Sequence, residues 1–442
     1  MDIVLDKISK TEALIKINLK ENDYQPKVEE KIKEYCKKAN IKGFRAGKVP
    51  AGVIKKMYGK SILADEVNQM LSQSLMDYIK ENDIQILGEP LPNMEKAEAI
   101  DWETANEFDF EYSIGMANEF DLAINKKIKV EKFKIKVDDK ALAETIDNLK
   151  KQFGEMTNPD VCENGDTLYG EFITEIEGEP QTGTFDLNEL EKKEVKNFIG
   201  KKKDEIVHFN AEKAIKNETY MQSIFGKLEG IDLKKVEFKV ININRVIPTE
   251  INQELFDKTF GKDAVKTEEE FKAKIKESIS ENYDKESENH FVYNIRNKVV
   301  ESTKMDLPDE FLKKFIAKTN KSDITPEQIE SDYPMYSEDL KWTLIKNKVS
   351  KEQDIKAEHE DVLNATKAMI RMQFAGSGMG DQMEASIDTF ADNYLKGGDG
   401  QSGENYMKMH ESVFNDKVVA YIKENITIKE KEVTAEEFRK KA

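Results

Sequence analysis

The sequence predicts a multidomain α+β protein: an N-terminal α+β domain, a β-rich middle domain, and an elongated all-α body at the C-terminal end. Three observations predict it. Alternating apolar runs at Thr11–Leu19 and Glu107–Ile114 bracket segments with helical spacing. Short alternating runs separated by turn residues fill 160–247. After Pro248 the helical signals continue almost without a break.

Taken in order, Ala13, Ile15, Ile17 and Leu19 fall on one side of a half-buried strand. A Lys- and Glu-rich helix is expected from about Pro26 to Ala39, then a glycine loop, then a helix from about Ala51. Leu63, Val67, Leu71, Leu75 and Ile79 make an i, i+4 stripe, and Phe108, Phe110, Tyr112 and Ile114 alternate again. Helices inserted between strands of an antiparallel sheet make one domain over 1–115, with the glycine loop at the tip of a helical hairpin. Ile128–Val137 reads as an exposed strand or linker. Asp138-Asp139 caps a helix whose Leu142, Ile146, Leu149 and Phe153 share a face. Together these form a linker over 116–154.

In 155–247, strands are expected at Glu205–Phe209 and from Val236 through Val246, with turns at Asn164-Gly165-Asp166 and Gly178-Glu179-Pro180. Over 248–442, Thr267-Glu268-Glu269-Glu270 reads as a capping box. Phe271, Ile275, Ile279 and Tyr283 continue as a stripe through Phe291, Ile295 and Val299. Further helices start at Leu307-Pro308-Asp309 and at Thr325-Pro326, where proline occupies the first helical position. The glycine-rich breaks at 376–380 and 397–400 read as loops; neither has the Gly-Lys-Ser/Thr ending of a nucleotide-binding loop.

With 442 residues the chain has room for two to four domains. Charged residues make up 35% and hydrophobic residues 38%, with a mean hydropathy of −0.68. So small an apolar share points to much polar surface and an extended shape. Cys36 and Cys162, far apart in sequence, suit a reducing compartment better than a disulfide framework. His208, His290, His359 and His410 lack ligand spacing, so neither a metal nor another cofactor is expected. No apolar run approaches membrane-spanning length, and Met1-Asp2-Ile3-Val4-Leu5-Asp6 lacks a basic segment before an apolar one. A cytoplasmic protein with no membrane partner is the expectation.

One stretch breaks the acidic pattern. Between Lys31 and Lys60 lie nine lysines and one arginine against a single acid, Glu34, a net of +9 in a chain that carries −18 overall. At its centre is Gly43-Phe44-Arg45-Ala46-Gly47-Lys48-Val49-Pro50. Either this is a solvated turn between helices, or it docks on a phosphate-rich surface, which an aromatic beside an arginine in a positive field would suit.

Ile41–Pro50 resembles the ribosome-docking signature of the trigger factor family, bacterial chaperones at the nascent-chain exit. The likeness extends to Ile54-x-x-x-Tyr58-Gly59, Phe108–Leu122, Leu307-Pro308-Asp309-Glu310-Phe311 and Ile426–Glu432. It implies an N-terminal ribosome-binding domain, a linker, an FKBP-like proline-isomerase domain and a helical body with arms. The docking residues would be Gly43, Phe44, Arg45, Gly47, Lys48 and Pro50, with Phe44, Arg45 and Lys48 touching the large ribosomal subunit near the exit tunnel, both ribosomal protein and rRNA. Ala46 stands where the family often has a second basic residue. Unfolded or nascent polypeptides are the implied clients, and homodimerisation stays open.

The family pattern erodes in the middle domain. Gly165-Asp166, Phe172, Phe185 and Phe238 look like framework positions. Gln181 and Thr182, however, stand where Phe and Asp belong, and Val195–Gly200 lacks the floor motif of an FKBP-type pocket. The aromatics therefore read as β-core, the domain as degenerate FKBP-like, and no catalytic residue is assigned; isomerase activity is expected to be weak or absent. Met369, Met372, Met379, Met383, Met407 and Met409 offer adaptable contacts in the helical body, although ordinary packing explains each one separately. The expected function is an ATP-independent chaperone docked at the ribosomal exit; the alternative is a peptidyl-prolyl isomerase acting on folding intermediates.

Overall fold

The computed structural model describes all residues except 43, 46, 103–105, 174–180, 227–231, 321–323, 375–383, 385, 398–402 and 442. The chain divides into two compact units. One comprises Met1–Val130, Phe291–Thr366 and Asn393–Lys429; the other comprises Glu131–His290, Lys367–Asp392 and Glu430–Ala442.

The first unit opens with strands β1 (Asp2–Lys7) and β2 (Glu12–Lys20), helices α1 (Glu21–Lys38) and α2 (Ala51–Glu81), strand β3 (Ile86–Pro92), a short α3 (Met94–Glu98) and strand β4 (Glu107–Met116). The sheet order is β1-β2-β4-β3, antiparallel throughout, with Leu19 opposite Phe108 and Ile15 opposite Tyr112. Alternation in β2 buries Ala13, Ile15, Ile17 and Leu19 against Tyr24, Val28 and Ile32 of α1 and Ile54, Ile62, Val67, Leu71, Leu75 and Ile79 of α2. Leu63, expected in the α2 stripe, is only partly buried; Ile62 takes the buried place.

Helix α1 begins five residues earlier than Pro26 suggested. The backbone N–H of Lys20 donates to Asp23 Oδ2 (2.9 Å), fixing the start at Glu21, and Pro26 sits in the second turn, where it forgoes one backbone donor.

The rest of the first unit is built on helix α9 (Glu268–Ser302, from Phe291 onward), α10 (Asp309–Thr319), α11 (Pro326–Gln353) and the helix Glu404–Asn425. Phe291, Ile295 and Val299 pack with Phe311, Leu312, Trp342, Ile345, Val349, Val418 and Ile422. Thr325 and Gln328 form the reciprocal cap of α11, as its Thr-Pro start implies.

In the second unit, β5 (Lys129–Lys136) is not an exposed linker strand: it pairs with β11 (Thr427–Thr434), and its Phe133 and Ile135 are buried with Val433 and Phe438. The body is thus not wholly helical, because the run Thr427–Thr434 finds a partner strand in residues almost 300 positions away. Helix α4 (Asp139–Gln152), capped by Asp138 accepting from the Ala141 N–H (2.8 Å), sets Ile146 against Leu255, Phe256, Phe271 and Ile275. At the start of α9, Thr267 caps Glu270, but the Glu270 carboxylate reaches back to the Lys266 N–H (2.8 Å) instead of that of Thr267.

The β-rich part holds β6 (Glu155–Thr157), β7 (Thr167–Phe172), β8 (Gln181–Asp186), β9 (Ile206–Phe209) and β10 (Val236–Ile247) in the order β6-β10-β7-β8, with β9 also on β10. Gly170 lies opposite Gly183 in this sheet. A Cβ at Gly170 would fall 2.2 Å from the Lys239 carbonyl oxygen and 2.5 Å from the Phe238 ring. Gly170→Ala should therefore cost about 1–3 kcal/mol through overpacking. Urea unfolding monitored by circular dichroism checks this, and an unchanged midpoint would mean that the sheet relaxes freely there.

Candidate functional site

The basic loop joins α1 to α2 at the hairpin tip. Two backbone turns shape it: the Phe44 N–H donates to the Ile41 carbonyl (3.0 Å) and the Lys48 N–H to the Arg45 carbonyl (2.9 Å). Gly47, third residue of the second turn, has φ +76°, and a Cβ there would come within 3.1 Å of the Lys37 carbonyl oxygen. Only glycine combines that backbone with that closeness. Val49 is buried and Ile41 half-buried in the hairpin core, which pins both ends of the loop. Pro50 is the extended cap from which α2 starts.

Between these anchors Phe44 is 40% exposed, and Arg45 and Lys48 also face solvent. Gly43 and Ala46 lie outside the described residues. The structure thus brings Phe44, Arg45, Gly47, Lys48 and Pro50 into one tip, with Gly47 and Pro50 shaping it. Among the described residues, Lys42, Arg45, Lys48, Lys55 and Lys56 make no ion pair, whereas Glu34 lies 4.0 Å from both Lys31 and Lys38, and Glu66 lies 3.5 Å from Lys31. No acid occupies the first turn of α2, so its free N–H groups add to the positive field. Such a tip can bind phosphate and carboxylate while pressing one ring onto its target.

The second candidate, the aromatic set of the β-rich domain, is closed. Phe172, Phe185, Phe198 and Phe238 are 0–2% exposed. Ring centroids lie 4.8 Å apart for Phe185–Phe238, 5.1 Å for Phe172–Phe238 and 5.0 Å for Phe198–Phe209. Rings that spend their faces on each other offer no wall to a substrate amide. Asp166 is buried as well. It accepts from Arg245 Nε (2.7 Å), Arg245 Nη2 (2.9 Å) and the Glu163 N–H (2.7 Å), and this hydrogen bonding holds the Arg245 pKa above its usual value. Burial pushes the neighbouring Cys162 thiol up to about 12, which keeps it protonated and inert. Gln181 pairs opposite Phe172 and Thr182 opposite Glu171 on β8; 177–180 lie outside the described residues.

Three family models match the chain. One described as "Bacterial trigger factor protein (TF)" covers residues 1–149, "Probable trigger factor, FKBP-like domain" covers 156–248, and "Probable trigger factor, C-terminal domain" covers 287–441. The chain belongs to the trigger factor family. Its divergence from other members is wide. The Trigger factor of Delftia acidovorans is 30% identical over 186 residues, 41% of this chain and 42% of that protein. That of Aeromonas salmonicida is 28% identical over 290 residues, 64% and 63% of the two chains. That of Caldicellulosiruptor bescii is 22% identical over 324 residues, 71% and 70%. The chain thus matches less than two thirds of the length of the first two relatives. A solved chain described as "Promiscuous Substrate Recognition in Folding and Assembly Activities of the Trigger Factor Chaperone" superposes with a TM-score of 0.45 at 17% identity, over 96% of this chain and 99% of that one.

Within this trigger factor fold several residues escaped the sequence reading. Tyr35 and Tyr58 pair on the hairpin flank, with ring centroids 6.4 Å apart; the Ile54-x-x-x-Tyr58-Gly59 run pointed at one of them. Phe198, Phe209 and Phe225 join the buried ring cluster. Arg245 interrupts an otherwise apolar alternation in β10, a signal that its side chain has a specific partner. Of the methionines, Met369 and Met372 belong to one compact unit and Met407 and Met409 to the other, while Met379 and Met383 lie outside the described residues. Removing the guanidinium would leave Asp166 charged and buried without its partner. Arg245→Ala is therefore expected to destabilise the β-rich domain by about 3–5 kcal/mol. Hydrogen exchange of β7 and β10 amides reports it; protection equal to the parent's would refute the clamp.

Proposed function

We propose that this chain is an ATP-independent chaperone that docks on the large ribosomal subunit near the exit tunnel and shields nascent or unfolded polypeptides. Docking falls to Gly43, Phe44, Arg45, Gly47, Lys48 and Pro50, against ribosomal protein and rRNA. The observation that carries the reading is the hairpin tip, where Phe44, Arg45 and Lys48 are exposed side by side and no carboxylate among the described residues neutralises Arg45 or Lys48. The working division is 1–115 for docking, 116–154 as linker, 155–247 as FKBP-like domain and 248–442 as chaperone body; 155–247 has a core of its own, whereas Ile128, Phe133 and Ile146 of the linker pack into cores shared with 248–442.

Client holding is supported by two openings in the first unit. A cavity of 1230 Å³ is lined by Ala117, Phe120, Leu122 and Leu344 together with Lys348 and Lys351. A groove of 440 Å³ is lined by Phe315, Ile316, Ile324, Ile329, Tyr333 and Tyr336. Apolar contacts interleaved with charge favour broad, weak and reversible binding over a single fitted ligand. Among the described residues no helix is long and apolar enough to cross a membrane; the proposed place of work is the cytoplasm. Homodimerisation of the free chain is an open alternative that sedimentation velocity decides.

Replacing Phe44, Arg45 and Lys48 together by Ala should abolish co-sedimentation with large subunits. It should cost the fold under about 0.5 kcal/mol, since all three are exposed. Binding by the parent should weaken steeply as salt rises, because phosphate contacts release counterions. A triple variant that still pellets at moderate salt would refute the docking assignment.

Peptidyl-prolyl isomerisation has less support. Twisting an X-Pro amide across a barrier of about 20 kcal/mol needs an open apolar wall, and Phe172, Phe185 and Phe238 are shut against each other. In a proline-limited refolding assay the full chain is expected to leave the slow phase near its uncatalysed rate. Acceleration matching an ordinary FKBP-type enzyme would reinstate the activity.

A further inference from the structure

The hairpin carries aromatic surface that the tip loop does not account for. Tyr35 on α1 and Tyr58 on α2 are 39% and 41% exposed and lie against each other at an interplanar angle of 38°. Tyr58 is seven residues into α2, about 10 Å along the helix axis from its start, so the pair sits behind the tip on the hairpin flank. Helical spacing sets lysines on the same faces as both rings. Lys31 and Lys38, at i−4 and i+3, share the face of Tyr35, and Lys55, at i−3, shares that of Tyr58. The nearest acid on α1 is Glu34, held 4.0 Å from both Lys31 and Lys38, while Lys55 makes no ion pair among the described residues.

Two exposed rings in a field of this sign have a definite chemical match. A protein partner gains most from a contiguous apolar patch with a polar rim. Here the two rings make one small patch bordered by lysines, well short of such a face. RNA offers both complements at once: phosphates for the lysines and unpaired bases whose faces stack on tyrosine. We propose that Tyr35 and Tyr58, with Lys38 and Lys55, form a second contact of the docking hairpin, on which unpaired bases of ribosomal RNA stack. This rests on the docking reading and adds to it a nucleic-acid contact apart from the loop.

Stacking is uncharged, which separates it experimentally from the loop. Binding of the full chain to isolated large subunits is measured across a salt series for the parent, a Tyr35→Leu/Tyr58→Leu double variant and a Tyr35→Phe/Tyr58→Phe double variant. The leucine variant should bind about tenfold more weakly at every salt concentration, with the slope of log K against log salt unchanged. The phenylalanine variant, which keeps the rings, should bind as the parent does. Ultraviolet crosslinking of the parent complex should leave a nucleotide on a peptide containing Tyr35 or Tyr58. Parent-like binding by the leucine variant, an equal loss in the phenylalanine variant, or crosslinks to ribosomal protein alone would each overturn the stacking contact while leaving the loop assignment standing. If the Phe44, Arg45 and Lys48 triple variant binds as well as the parent, the docking reading itself fails. Both tyrosines are exposed, so neither double variant should unfold, and melting temperatures equal to the parent's verify it.

Discussion

The buried stripe of α2 is the constraint on which the docking tip depends. Ile54, Ile62, Val67, Leu71, Leu75 and Ile79 lock a 31-residue helix onto α1 and the sheet. Each such side chain contributes about 1.5–3 kcal/mol when fully buried. The charge of the hairpin works against this, because its Lys31–Lys60 stretch carries nine lysines and one arginine. Two like charges 10 Å apart in water repel by about 0.4 kcal/mol, and salt screens them further. Summed over many pairs this repulsion is appreciable, and salt screening together with burial at the base holds it in check. The hairpin tolerates an electrostatically unfavourable tip because its base is an ordinary well-packed core.

The charge contrast has a functional consequence. A cationic tip on an otherwise acidic chain is repelled by nothing on an anionic target, whereas the remainder of the chain is. The field therefore selects which surface meets a polyanion before any contact forms, and it does so in a salt-dependent way. Local geometry then decides what the tip presents. Gly47 closes the turn that sets Arg45 and Lys48 outward, and Val49 anchors the far side. On the docking proposal, charge brings the hairpin to its target, and the turn closed at Gly47 limits the orientations in which it can settle.

Much of this was legible in the sequence, for identifiable reasons. Period-two alternation in β2 and β4 and the i, i+4 spacing in α2 are local signals, and the basic loop stands out through charge contrast. Signals that depend on distant partners were not legible. The strand nature of Thr427–Thr434 emerges only when β5 lies beside it, since its own pattern of Lys and Glu carries little β propensity. The α1 start was missed because Pro26 outweighed the less obvious cap between Lys20 and Asp23. The Tyr35–Tyr58 pair needed two helices brought together, which no one-dimensional spacing encodes.

The β-rich domain shows how a binding fold can persist after its pocket closes. An aromatic-lined cavity requires rings held at its rim with one face free. In this chain Phe172 meets Phe185, Phe225 and Phe238, and Phe185 also meets Phe198 and Phe209, so each ring is satisfied by another. Gly170 and Gly183 permit this closeness by leaving no Cβ between the sheet and the rings. Asp166, the one buried carboxylate of the cluster, is likewise consumed by Arg245. Opening such a core would expose several large rings and strand a charge at once, a combined cost well above that of a single rotamer change. The arrangement favours a rigid β domain over a catalytic one, in line with the proposal that assigns docking to the hairpin and client contact to the helical body.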